Sequence, residues 1–233
     1  MEPFAPTPRR GFLARLAGGA AALTAGSALS GAVAPARAQG PASPHDAWLN
    51  GVTGRHRCLF DFPLHGGGVP LIHIYNYIST YSSAYGEPAS AVSTIGTFYG
   101  PPGPLASMPL AWNDVVWEKY KLGELLQLTD PVTKAPTKRN LFYRPRAGDP
   151  VLASGAFAVA GVENLQKLGT RFLMCNNAFM MWMGFLSGSG SSGNPSTIER
   201  EIRANLIPGV ITVPAMVIAI EKAQGKGIAY NRQ

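Results

Sequence analysis

The stretch HRCLFDFPLHGGGVPLIHIYNYISTYSSAYG, His56 to Gly86, changes texture twice, and those changes decide the fold class. His56 to Phe62 is dense in apolar residues with loose alternation, the pattern of a strand buried on both faces. Pro63 ends it, and Gly66, Gly67 and Gly68 form a flexible turn. Leu71, Ile74, Tyr75 and Ile78 then recur at helical spacing up to Gly86. Strand, glycine turn and helix make the first half of a βαβ unit.

The same alternation continues to the end of the chain. Ser90 to Gly100 reads as a strand, rich in β-branched and aromatic residues and halted by GPPGP. A helix follows, capped by Asn113 or Asp114, with Val116, Tyr120 and Leu122 turned to the core. Leu128 to Pro150 is proline-rich, polar and basic, and reads as a long surface insertion of the kind that covers a site or a partner. Phe157 to Gly169 is a short amphipathic helix, Thr170 to Cys175 a strand, Ala178 to Leu186 a strongly apolar helix, and Ser187 to Pro195 a loop. A capping box, Ser196 with Glu199, opens the next helix. Strand Val210 to Met216, helix Val217 to Gly227 and strand Ile228 to Arg232 complete the pattern. These elements predict a three-layer α/β sandwich with a mainly parallel sheet, one domain over residues 55–233, preceded by a flexible segment over 39–54.

The N-terminus sets the compartment. Arg9-Arg10-Gly-Phe-Leu, a mildly apolar Ala/Gly-rich run and Ala36-Arg37-Ala38 have the order of a twin-arginine export signal cleaved after Ala38. The expected product is a periplasmic protein that meets the twin-arginine export machinery already folded. The chain carries 20 Lys and Arg against 13 Asp and Glu; the signal takes four arginines and Glu2, leaving 16 against 12. That modest excess, with no basic stripe interleaved with aromatics, gives no reason to expect a nucleic acid partner. No apolar run is long enough for a stable membrane anchor.

Ligands of open parallel sheets bind outside the carboxyl ends of the strands, where Asp61, Gly66 to Gly68, Cys175 and Pro214 to Met216 are all expected. Cys175 is the candidate reactive thiol. It stands between a strand end and a helix start, where unpaired N–H groups and the helix dipole favour thiolate. A buried cysteine serving as a small hydrophobe is the plain alternative, and Cys58, early in its strand, fits that description. The offset between the two cysteines along their strands argues against a disulfide. Asp61, His65, the three glycines, Asn176 and Asn177 are candidate binding residues, with one asparagine sufficing as a helix cap. His56, His65 and His73 match no metal-ligand spacing, so no metal site is expected, and the sequence names no cofactor. Trp112, Trp117 and Trp182, with Met180, Met181 and Met183, belong to a core, an interface or an apolar pocket.

Taken together, LFDFPLHGGGVPLIHIYNYISTY, FLMCNNAF, LIPGVITVPAMVIAIEKAQGKGIAY and the segment WNDVVWEKY (Trp112 to Tyr120) resemble the exported branch of the DsrE/DsrF-like proteins over most of residues 55–231. The resemblance implies a flavodoxin-like α/β domain that forms homo-oligomers, trimers or hexamers. It also implies that Cys175 occupies the place of the cysteine that carries persulfide sulfur in the cytoplasmic relay members. Export, the long insertion and the lack of a second relay cysteine set this chain apart from them. Two readings follow: a periplasmic sulfur-handling protein acting through Cys175, and a non-enzymatic small-molecule-binding or accessory protein using the same crevice.

Overall fold

The computed structural model describes residues 43–188 and 194–233. The expected export signal and its cleavage site lie outside the described residues, as does most of the Ser187 to Pro195 loop. Five strands, β1 (His56–Asp61), β2 (Val92–Phe98), β3 (Arg171–Cys175), β4 (Ile211–Val213) and β5 (Ala229–Arg232), form one sheet in the order β4-β3-β2-β1-β5. Every pairing is parallel. With helices on both faces, this is the three-layer, flavodoxin-like α/β architecture that the alternation of elements predicts.

Crossover handedness explains the layers. Parallel crossovers are right-handed, so the helices joining β1 to β2, β2 to β3 and β3 to β4, all stepping one way across the sheet, share a face. These are α1 (Val69–Tyr85), then α2 (Asp114–Lys119), α3 (Leu122–Leu125) and α4 (Val162–Lys167), then α5 (Asn176–Gly188) and α6 (Pro195–Ala204). The step from β4 to β5 runs back across the whole sheet, so α7 (Met216–Gly225) takes the opposite face. Beside it lies a 3-10 helix, Pro44–Gly51, tied to α7 by the Lys222–Asp46 pair. Within the segment 39–54, expected to be flexible, the described residues from 43 onward are partly structural: Trp48 and Val52 are buried. Their apolar bulk is what this second face lacks when only one helix covers it.

The three central strands β1, β2 and β3 are buried on both faces along most of their length, which is why their sequences run apolar without strict alternation. Phe98 and Phe172 stack with ring centroids 4.9 Å apart. Gly96, opposite Phe172 in the β2–β3 pairing, makes room for them, since a Cβ there meets the Phe172 ring at 2.5 Å.

Two local expectations change. Helix α6 starts two residues before the proposed Ser196 box: Asn194 is the N-cap, its Oδ1 accepting from Thr197 N at 2.9 Å, and Pro195 holds the first helical position, where a missing N–H costs nothing. The Leu128 to Pro150 insertion is not merely superficial, because Leu141, Phe142 and Asp149 are fully buried and Asn140 nearly so. Asn140 fastens it. Its Nδ2 donates to the carbonyls of Leu110 and Trp112 at 3.1 and 2.9 Å, and its Oδ1 accepts from the amides of Phe142 and Tyr143 at 3.0 and 3.2 Å. The backbone then passes into α4, with Val162 N donating to Phe142 O at 2.9 Å.

Because Asn140→Ala strands three buried backbone groups at once, Leu110 O, Trp112 O and Phe142 N, it should lower unfolding free energy by about 2–4 kcal/mol. A fall in the urea midpoint with an unchanged slope is the expected reading; a change within about 0.5 kcal/mol contradicts the stitch.

Candidate functional site

The reversal that sends α7 to the far face creates a switch point at the carboxyl ends of β3 and β4. There α5 leaves toward one face and α7 toward the other, and Cys175 pairs with Val213. Adjacent strands whose connections part in this way open the crevice in which doubly wound sheets bind ligands. Cys175 occupies that point. Immediately preceding α5, it acts as the cap of that helix: its Sγ accepts from Ala178 N at 3.5 Å. The same sulfur accepts from Met216 N, the first residue of α7, at 3.3 Å.

One sulfur thus meets the amino ends of two helices of 13 and 10 residues. Unpaired N–H groups at helix starts carry partial positive charge, and here two of them are directed at one sulfur. The residue is only 5 % exposed, which confines any reaction partner to something small. Cys58 is the opposite case. It lies mid-sheet between Thr94 and Ala229, and burial pushes its thiol up to about 11. Both cysteines are free, and β2 separates their strands by a spacing of about 10 Å.

Pro214 to Met216 and the two asparagines adjoin Cys175, whereas the candidates from the first unit do not gather around it. Asp61 lies two strands away and is 1 % exposed. Its carboxylate accepts from Tyr230 Oη at 2.7 Å, from Arg232 and from Thr97 Oγ1 at 3.4 Å, while Arg232 also donates to Tyr99 Oη at 2.9 Å. Burial and the neighbouring Asp61 carboxylate push the Tyr99 phenol up. This cluster anchors β5, an edge strand whose four residues are all exposed.

His65 is also spent internally. Its Nδ1 accepts from Gly67 N at 3.0 Å, which leaves Nε2 to donate to Pro104 O at 3.1 Å. A ring with one accepting and one donating nitrogen is neutral, and burial holds its pKa below the ordinary value near 6.5. Gly66, Gly67 and Gly68 all have positive φ, and Gly67 O accepts from Leu152 N at 2.7 Å. A Cβ on Gly68 strikes the Leu152 side chain at 2.7 Å. The turn therefore packs against Leu152 and serves as a junction.

Asn176 and Asn177 open α5. Asn176 Oδ1 accepts from Arg203 at 2.6 Å, and that guanidinium sits 4.5 Å from the Phe179 ring centroid. Asn177 is exposed beside Cys175. His56 stacks on Tyr81 and His73 contacts Gln233, so the three histidines do not converge. Among the described residues, no group of three or more His, Cys, Asp or Glu side chains is arranged to hold a metal ion, and no helix is long and apolar enough to cross a membrane. Trp112, Trp117, Trp182 and Met183 are core; Met180 and Met181 are exposed.

The neutral His65 gives a pH dependence with a definite sign. The unfolded chain protonates this imidazole near 6.5, while the folded site resists protonation, so its contribution is complete above that pH and is lost as pH falls below it. Stability should drop between about pH 7.5 and about pH 5.5, and His65→Gln should flatten that slope in urea titrations. An identical slope in the variant assigns the effect elsewhere.

No protein-family model matches the chain, and no curated protein matches it. A solved structure, the protein of unknown function MTH1491 from Methanobacterium thermoautotrophicum, is similar at 19 % identity over 76 % of this chain and 99 % of that chain, with a TM-score of 0.36, a likeness too loose to carry any argument.

Proposed function

We propose that this chain is an exported, DsrE-like sulfur-handling protein of the periplasm in which Cys175 takes up sulfane sulfur. The observation that carries the reading is the thiol at the switch point, with its Sγ accepting backbone N–H bonds from the starts of α5 and α7. Thiolate is the attacking form, and these two donors also suit the terminal sulfur of a persulfide. With thiosulfate as donor, the thiolate attacks the outer sulfur, the Sγ–S bond forms, the S–S bond of thiosulfate breaks, and sulfite departs with the bonding electron pair. The product is a persulfide anion, so charge and atoms balance. The slight exposure of Cys175 favours small inorganic donors. Export through the twin-arginine route and assembly into a trimer or hexamer belong to the same proposal. Exposed apolar residues near the starts of α5 and α7, Met181, Val217 and Ile218, support assembly.

The depth of Cys175 favours a second reading, in which the thiol only caps α5 and the protein binds a small molecule without chemistry. Intact mass spectrometry after brief exposure to thiosulfate or polysulfide separates the two. The expected result is one added sulfur atom, mapped to Cys175 and absent from Cys175→Ser, with Cys58 unmodified because burial pushes its thiol up to about 11. An unmodified Cys175 in folded protein rules out sulfur carriage and leaves the binding reading.

A further inference from the structure

A second site stands apart from the thiol, in the insertion that the sequence marks as a cover. Between the start of α2 and residues 139–146 lies a cavity of about 280 Å³, with Arg139, Arg144, Arg146, Asn113, Asp114 and Tyr143 among its lining. Three arginines around one hollow are costly to assemble, and what each one contacts shows what the hollow lacks.

Arg139 pairs with the fully buried Asp149, whose other oxygen accepts the Arg146 backbone N–H at 2.7 Å. Asp149 thus fixes the loop and neutralises one arginine. Arg144 donates through Nε and Nη2 to Glu163, at 2.8 and 2.6 Å, with its guanidinium 5.0 Å from the Tyr143 ring centroid. Its charge is also matched. The Arg146 guanidinium has no ion pair or hydrogen-bond partner among the described residues. The Nε of Arg139 is buried without an acceptor, a condition native structures rarely leave standing. Asn113 and Asn140 are already occupied: Asn113 Oδ1 caps α2, its Nδ2 donates to Asn205, and Asn140 holds the insertion. Asp114 Oδ1 accepts from Asn140 N at 2.8 Å, and its charge keeps an anion away from that wall.

We propose that this cavity binds a small oxyanion, a carboxylate or phosphate group of a small molecule, seated between Arg146 and Arg139. Arg146 supplies an unmatched positive charge with a planar donor fork suited to two oxygens. An oxygen seated there is the acceptor that a small rotation of Arg139 offers to its Nε. Tyr143 and the half-exposed Val115 give an apolar wall for the rest of the ligand. The volume is at the small end of ligand sites, roughly 300 Å³ and upward, and suits a compact metabolite. The site is independent of Cys175 and stands or falls separately from sulfur carriage.

Calorimetric titration of the purified full chain with inorganic phosphate, with malonate and with the neutral analogue malonamide tests the site. Saturable binding of phosphate, of malonate or of both is expected; the anion preferred identifies phosphoryl or carboxylate recognition, and malonamide should not bind. Arg146→Gln should weaken binding about tenfold or more. Arg144→Gln, which takes from the Glu163 carboxylate its arginine partner beside the cavity, should weaken it in the same direction, while Arg55→Gln, a charge loss outside the cavity, should not change it. Absence of saturable binding by both anions overturns the proposal. So does equal binding of malonamide, or affinity that survives both cavity substitutions.

Discussion

The handedness of parallel crossovers is the constraint from which the rest of this molecule follows. Three right-handed steps in one direction load one face of the sheet, and a single long return loads the other. The return has to begin somewhere, and it begins after β4. Two helix starts therefore diverge around the adjoining ends of β3 and β4, and a side chain at the end of β3 receives N–H groups from both. The same return leaves its own face thinly covered. That accounts for the burial of Trp48, which comes from before the first strand to share that face with α7.

The insertion answers a different physical demand. A segment running from Leu128 past Pro150 carries many backbone polar groups, and burying part of it is favourable only where those groups find partners. Asn140 and Asp149 supply them, each by accepting or donating on two sides at once. Thr129 and Pro136 pair in an isolated antiparallel bridge, and Asp130 caps the turn between them by accepting from Val132 and Thr133. The loop is thereby rigid enough to hold arginines at fixed places without a helix or strand of its own.

What was legible in the sequence divides along the same line. Strands buried on both faces announce themselves by apolar density, which made β1, β2 and β3 readable, while the short edge strands β4 and β5 were readable from the alternation of elements; glycines Gly86 and Gly169 marked true stops because positive φ ends the helix there cheaply. Cys175 at a strand end was readable from its neighbours alone. Its second donor was not, because Met216 lies 41 residues away and only the topology brings it near. Asp61 and His65 looked like site residues because they stand at the carboxyl end of β1. Their partners, Arg232 at the far end of the chain and Pro104 in another loop, are non-local, and no local pattern announces that both side chains are occupied internally. Asn194 took the cap from Ser196 because Pro195 after it has its φ preset for the first helical position.

The two cysteines show how little residue type decides. Both are buried to nearly the same degree. Cys58 faces its neighbours across the middle of the sheet, where the backbone N–H groups are committed to the ladder and none is left to offer a sulfur anion; burial acts alone and opposes charge. Cys175 stands one residue past the last ladder pair of β2 with β3, where the chain turns into a helix and N–H groups have no carbonyl four residues back to bind. Equal burial then has unequal meaning: in the ladder it isolates a thiol, and at the switch point it removes the competing water from two donors already aimed at one. The difference between the surroundings of the two sulfurs is a matter of where the backbone runs out of its own partners.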